Sequence, residues 1–174
     1  MRKIIAVYLL AVYAMFPMQL TAAEFSTQTP NAAEGVIRGR VQKVGFRAFI
    51  FRQAIRYNLG GTIENLADGS VHFILQGAPR HLEEALEIIR HGPAKAGVNA
   101  VDIKPVSFRA GMLSVTVKGW TSATRDFQKP VDLVYPLREP DQPISEQDAH
   151  RIFKEIIRSA MASAKKQTKI TEKY

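Results

Sequence analysis

Gly39-Arg40-Val41-Gln42-Lys43-Val44-Gly45-Phe46-Arg47 runs out of a predicted strand, turns, and opens a helix. Residues Val36 to Val41 favour an extended chain, whereas Phe46, Phe49, Ile50, Ala54 and Ile55 recur at helical spacing, so the period changes between Val41 and Phe46. The first backbone N–H groups of a helix have no partner inside it, and the helix dipole adds partial positive charge there. A strand-to-helix turn can therefore hold an anion. Arg47 stands at its rim, and a planar guanidinium with several fixed donors matches phosphate oxygens two at a time. Read alone, an arginine in the first turn of a helix is an ordinary solvated residue. The rest of the chain decides its reading.

Downstream, the helix from Phe46 is predicted to end near Tyr57-Asn58, because Gly60-Gly61 follows. Thr62 to Asn65 and Val71 to Gln76 read as strands joined by Leu66-Ala67-Asp68-Gly69-Ser70, in which Asp68-Gly69 is a hairpin signal. Leu82, Ala85, Leu86 and Ile89 mark an amphipathic helix closed by Gly92-Pro93. Val98, Val101 and Ile103 suggest a fourth strand. Leu113, Val115 and Val117, alternating with Ser114, Thr116 and Lys118, suggest a fifth. The order is βαββαβ with an extra strand, which predicts an α+β, ferredoxin-like sandwich: an antiparallel sheet with both helices on one face.

The 174 residues suit one globular domain with some chain left over. Removing Arg2 and Lys3, which fall in a predicted targeting segment, from 24 basic and 16 acidic residues leaves a charge of +6. That balance favours anionic partners without pointing to nucleic acid. The absence of cysteine excludes disulfides, thiolate nucleophiles and cysteine metal sites. His72, His81, His91 and His150 show no metal-ligand spacing, and Ser70 near His72 lacks a nucleophile elbow. Neither a metal nor an organic cofactor is expected.

The motifs taken together carry a resemblance. Gly39 to Arg47, then Asn58-Leu59-Gly60-Gly61-Thr62-Ile63-Glu64-Asn65, then Asp68-Gly69-Ser70-Val71, with Gly77 and Gly92-Pro93 following, are similar to acylphosphatases over about Gly35 to Val117. This resemblance implies a metal-independent hydrolase that cleaves the carboxyl–phosphate anhydride of acyl phosphates to carboxylate and inorganic phosphate. It implies that Arg47 and the backbone amides of Gln42, Lys43, Val44, Gly45 and Phe46 hold the phosphoryl group, and that Asn65 positions the attacking water. Without the resemblance, Asn65 reads as a turn residue ahead of the hairpin, and Gly45 as a turn glycine. The alternative on the same fold is a non-catalytic anion-binding or interaction module of the cell envelope. RNA binding would call for stacking aromatics on the central strands, and Phe46 and Phe49 lie in the turn and helix instead.

The chain departs from the family pattern at Lys43, where the loop usually has Gly, and at Asn58, where Gly is frequent. It also has two added ends. The predicted organisation is a signal peptide at 1–23, a loose leader at 24–34, the acylphosphatase-like domain at 35–120, a Pro-containing connector at 121–144, an amphipathic helix at 145–166 and a basic tail at 167–174. The helix starts at a Ser145/Asp148 capping box and carries an apolar stripe of Ala149, Ile152, Phe153, Ile156, Ile157, Ala160 and Met161. The stripe can be covered by its own domain, by another copy or by a membrane surface. Met1-Arg2-Lys3, the apolar run from Ile4 to Phe16 and Thr21-Ala22-Ala23 read as the three parts of a secretory signal, so the product is expected in the periplasm or outside the cell; the alternative is an uncleaved membrane anchor, against which Pro17 and Gln19 argue. Sequencing the N-terminus of the exported protein should give Glu24 first, and a mature chain that begins at Met1 would overturn this assignment.

Overall fold

The computed structural model describes residues 31–121 and 130–171; the signal segment, the leader up to Pro30, residues 122–129 of the connector and the last three residues of the tail lie outside them. In chain order the elements are β1 (Ala32–Arg40), α1 (Phe46–Tyr57), β2 (Gly60–Asn65), β3 (Val71–Gln76), α2 (Pro79–His91), β4 (Gly97–Pro105), β5 (Ser114–Trp120), β6 (Val131–Pro136) and α3 (Glu146–Thr171). The sheet runs β4-β1-β3-β2-β5-β6. This is the expected α+β, ferredoxin-like arrangement with an added strand and a C-terminal helix.

Alternation decides which face each strand buries. Val71, Phe73 and Leu75 of β3 are buried while His72 and Ile74 are half-buried, and β1 does the same with Ala33, Gly35 and Ile37. Phe46, Ile50, Phe51, Ala54 and Ile55 of α1 and Leu82, Ala85 and Ile89 of α2 cover that inner face in one continuous core. The outer face carries a polar network instead: the His72 ring lies between Glu34, at 2.9 Å from Nε2, and Glu64, at 3.0 Å from Nδ1.

Three expectations need correction. The sheet is mixed, because β2 and β5 pair in parallel. The chain leaves β4 at one edge and crosses the end of the sheet, so it arrives beside β2 running in the same direction. Gln76 holds the crossing by accepting from Arg109 N–H at 2.9 Å and donating to Arg109 O at 2.8 Å. Next, β1 begins at Ala32, so the last residues assigned to the leader are strand. Finally, the connector contains β6, antiparallel to β5, and α3 continues to Thr171.

The C-terminal helix lies on its own domain. Ile152, Phe153, Ile156, Ile157 and Ala160 pack against the core, with Phe153 edge-on to Phe51 of α1 at 6.2 Å. Ser145 Oγ accepts from Asp148 N–H at 3.0 Å, which is half of the capping box; the Asp148 carboxylate meets the Ser145 hydroxyl rather than a backbone amide. Asn58 fixes the approach to this helix. It ends α1 in the left-handed conformation (φ 55°), accepts from Arg138 N–H at 2.8 Å and donates to Arg138 O at 3.2 Å. Replacing Ile156 with Asp should lower stability by about 2 to 3 kcal/mol, because a carboxylate cannot share that apolar contact without losing water. For a chain of this size the melting temperature should fall by roughly 5 to 10 °C, and an unchanged melt would mean that the stripe is not packed in solution.

Candidate active site

β1, β2 and β5 all run toward one end of the sheet, and the polar residues singled out in the sequence gather there. After Arg40 the chain turns through residues 41–45 and enters α1 at Gly45, which has φ 84°. A side chain at Gly45 would meet no protein atom within 4 Å, so glycine is required there by backbone geometry rather than by crowding. No side chain caps the first turn of α1, and no acidic residue stands in it. The partial positive charge of the helix start is therefore left uncompensated. Phe46, buried at 1% exposure, fixes the position of that turn against the core.

Gln42, Lys43, Gly45, Phe46, Arg47 and Asn65 line one cavity of about 600 Å³. Val44 is not among its lining residues; it packs against the core. Trp120 and Thr121, which the sequence reading did not select, complete the wall. Their place follows from the parallel β2–β5 pairing, which no local pattern announces.

Each side chain has a distinct environment. Gln42 Nε2 donates to Leu66 O at 2.8 Å and to Ser70 O at 2.9 Å, so it ties the turn after β1 to the hairpin after Asn65. Asp68 closes that hairpin by accepting from the Ser70 hydroxyl and N–H, and these bonds, the hydroxyl first, hold its carboxyl below the ordinary value. Asn65 Oδ1 is buried and finds no donor among the described residues. Arg47 is half-buried, and its Nη1 donates to Lys118 O at 2.6 Å and Gly119 O at 3.1 Å. Burial lowers its pKa from the ordinary arginine value, but a guanidinium stays charged at neutral pH. The described residues offer no hydrogen-bond partner to its Nε and Nη2.

An uncapped helix start, a guanidinium held by two carbonyls and an amide oxygen without a donor among the described residues surround one cavity at the strand ends of an α+β sheet. Comparison with known proteins identifies the family. A family model described as Acylphosphatase matches residues 33–114. The acylphosphatase of Methanocella arvoryzae is 39% identical over 81 residues, which cover 47% of this chain and 91% of that protein. That of Thermus thermophilus is 41% identical over 69 residues, covering 40% of this chain and 78% of its own. The crystal structure of acylphosphatase from Bacillus subtilis aligns with 47% of this chain and 90% of its own at 27% identity, with a TM-score of 0.45. The chain belongs to the acylphosphatase family. Trp120, Thr121, β6 and α3 all lie beyond the matched residues.

Lys43 has φ 61°, a left-handed conformation that costs a non-glycine residue about 1 kcal/mol and that glycine adopts more easily. Lys43 is exposed and lines the cavity. Lys43→Gly should leave stability unchanged or raise it by up to about 1 kcal/mol. It should also weaken phosphate binding a few-fold at low ionic strength, and the gap should close near 1 M salt, where screening acts over about 3 Å. Equal affinities at low salt would show that the ammonium does not act on the anion.

Proposed function

We propose that the protein hydrolyses acyl phosphates at this cavity, with the phosphoryl group on Arg47 and the amides of residues 42–46 and with the attacking water on Asn65. The observation that carries the reading is that Arg47, Asn65 and the uncapped start of α1 line a single cavity. Phosphoryl transfer passes through a loose transition state whose charge spreads over the equatorial oxygens, so it needs positioning and charge stabilisation above all. Arg47 presents donors that its backbone bonds leave unengaged, while the helix start adds oriented N–H groups.

Water attacks phosphorus, the bond from phosphorus to the bridging oxygen breaks, and the electron pair leaves on the carboxylate. The water oxygen becomes a phosphate oxygen that keeps one of its protons, and the other proton passes to a second phosphate oxygen or to solvent. A carboxylate is a good leaving group and needs little protonation, so no strong general acid is required. Asn65 can orient water through its amide while adding no charge beside the anionic substrate. Gln42 acts at one remove, since its bonds to Leu66 O and Ser70 O set the distance between the phosphate turn and the strand end that carries Asn65.

Arg47→Ala and Asn65→Ala should fail differently when an acyl phosphate is assayed at several concentrations. Each should cost about 10² to 10³ in kcat/KM, as loss of one preorganised donor does elsewhere. Arg47→Ala should also raise KM and weaken phosphate binding, whereas Asn65→Ala should lower kcat with phosphate still bound. Their stabilities should diverge as well. Arg47 bonds two carbonyls of β5, so its removal should cost about 1 kcal/mol, while Asn65→Ala removes an unpartnered buried acceptor and should be close to neutral. A chelator should leave the wild-type rate unchanged. An early-melting Asn65→Ala with full specific activity would make Asn65 a hairpin residue only, and a folded wild type that binds phosphate without turnover would favour the non-catalytic module.

A further inference from the structure

We propose that Trp120 is a positioning residue for Arg47, and that the C-terminal extension is therefore part of the working site. The inference rests on the phosphate-binding role given to Arg47 above. The residues that contact the Arg47 guanidinium, Lys118, Gly119 and Trp120, lie outside the matched segment 33–114. The carbonyls of Lys118 and Gly119 that accept from Nη1 belong to a bulge in β5, where pairing with β6 shifts between Val117 and Trp120 and Gly119 takes φ 55°. Bulges of this kind re-aim backbone groups beside functional sites. Here β6 fixes the bulge: Asp132 accepts from Gly119 N–H at 2.9 Å and from Lys118 Nζ at 2.8 Å.

Trp120 supplies the surface under the guanidinium. Its ring centroid lies 5.6 Å from Arg47 Cζ. Behind it, the ring stands edge-on to Phe153 of α3 at 5.9 Å and 80°, and Phe153 in turn stands edge-on to Phe51 of α1 at 6.2 Å. A closed circuit of contacts thus runs from α1 through Arg47, Trp120 and Phe153 back to α1. The indole Nε1 is buried and has no acceptor among the described residues, where the ring's contacts are the Arg47 guanidinium on one side and Phe153 on the other.

The consequence is preorganisation. An unrestrained arginine must lose rotamer freedom whenever an anion binds. With Nη1 bonded and the plane resting on an aromatic face, that ordering is already done, and Nε and Nη2 remain for the ligand. A partly desolvated cation gains more from such a face than an exposed one.

Trp120 is the chain's single tryptophan, so its emission reports this contact directly. Inorganic phosphate titrated into the full-length protein should change that emission with the midpoint found by calorimetry, and the change should vanish in Arg47→Ala. Trp120→Ala should raise the phosphate Kd and the KM for an acyl phosphate about tenfold, with a smaller effect on kcat. Trp120→Phe, which keeps an aromatic face, should recover most of the loss. Should Trp120→Ala fail to fold, Phe153→Leu, which keeps apolar volume and removes the edge contact, should raise Kd in the same sense. Wild-type Kd in the folded variants, or phosphate binding that leaves Trp120 emission unmoved, overturns the proposal. Phosphate binding without turnover would sink the enzyme reading alone, because Kd and emission read the seat of Arg47 independently of hydrolysis.

Discussion

The bonds from Arg47 Nη1 to the carbonyls of Lys118 and Gly119 join the first turn of α1 to the far end of β5, and the site depends on that junction. One guanidinium nitrogen is committed to the fold, and Arg47 also lines the cavity. The arrangement works because α1 cannot move: Phe46 and Ile50 are fully buried beneath it, and Gly45 lets the chain enter the helix without a side-chain cap. A capping Ser or Asp would have satisfied the helix start and weakened its pull on an anion. The helix start forgoes the local stability that such a cap would add, a conflict of the kind expected at functional positions.

Much of this was legible because local chemistry and global fold agree. The change of period between Val41 and Phe46, the Asp68-Gly69 hairpin and the Gly92-Pro93 stop each locate an element boundary within a few residues of its observed place. Arg47 and Asn65 could be selected because they sit in motifs, and they do line one cavity. Other features were not legible. Parallel pairing of β2 with β5 is a contact between distant segments, and no periodicity within either strand encodes it. β6 is the six residues Val131–Pro136, directly after Pro130; Val131, Leu133 and Tyr135 alternate with Asp132 and Val134, but a proline before the strand and another at its end read as extended linker. Trp120 carries no local signal either, because its contacts with Arg47 and Phe153 form only once β5 lies beside β2 and α3 lies on α1.

The departures from the family pattern have different physical meanings. Lys43 adopts the left-handed backbone that glycine would take more easily, and its side chain adds charge at the turn. Asn58 also keeps a left-handed conformation, and its side chain does something a glycine cannot. It brackets the backbone of Arg138 with an acceptor and a donor, much as a neighbouring strand would, while Arg138 reaches back to Ile55 O at 3.0 Å.

That clasp has a consequence for the order in which the molecule assembles. Asn58 and Arg138 are 80 residues apart, Arg47 and Lys118 are 71 apart, and Arg52 and His150 are 98 apart. Closing such long loops carries a larger entropy cost than pairing β2 with β3 across their hairpin, and chains dominated by distant contacts fold more slowly. The central hairpin and its covering helix can form from nearby sequence, whereas the seat of Arg47 waits for the most distant segments to return. The seat of Arg47 is therefore among the last contacts the chain can close, and a half-synthesised copy would carry the motif without it.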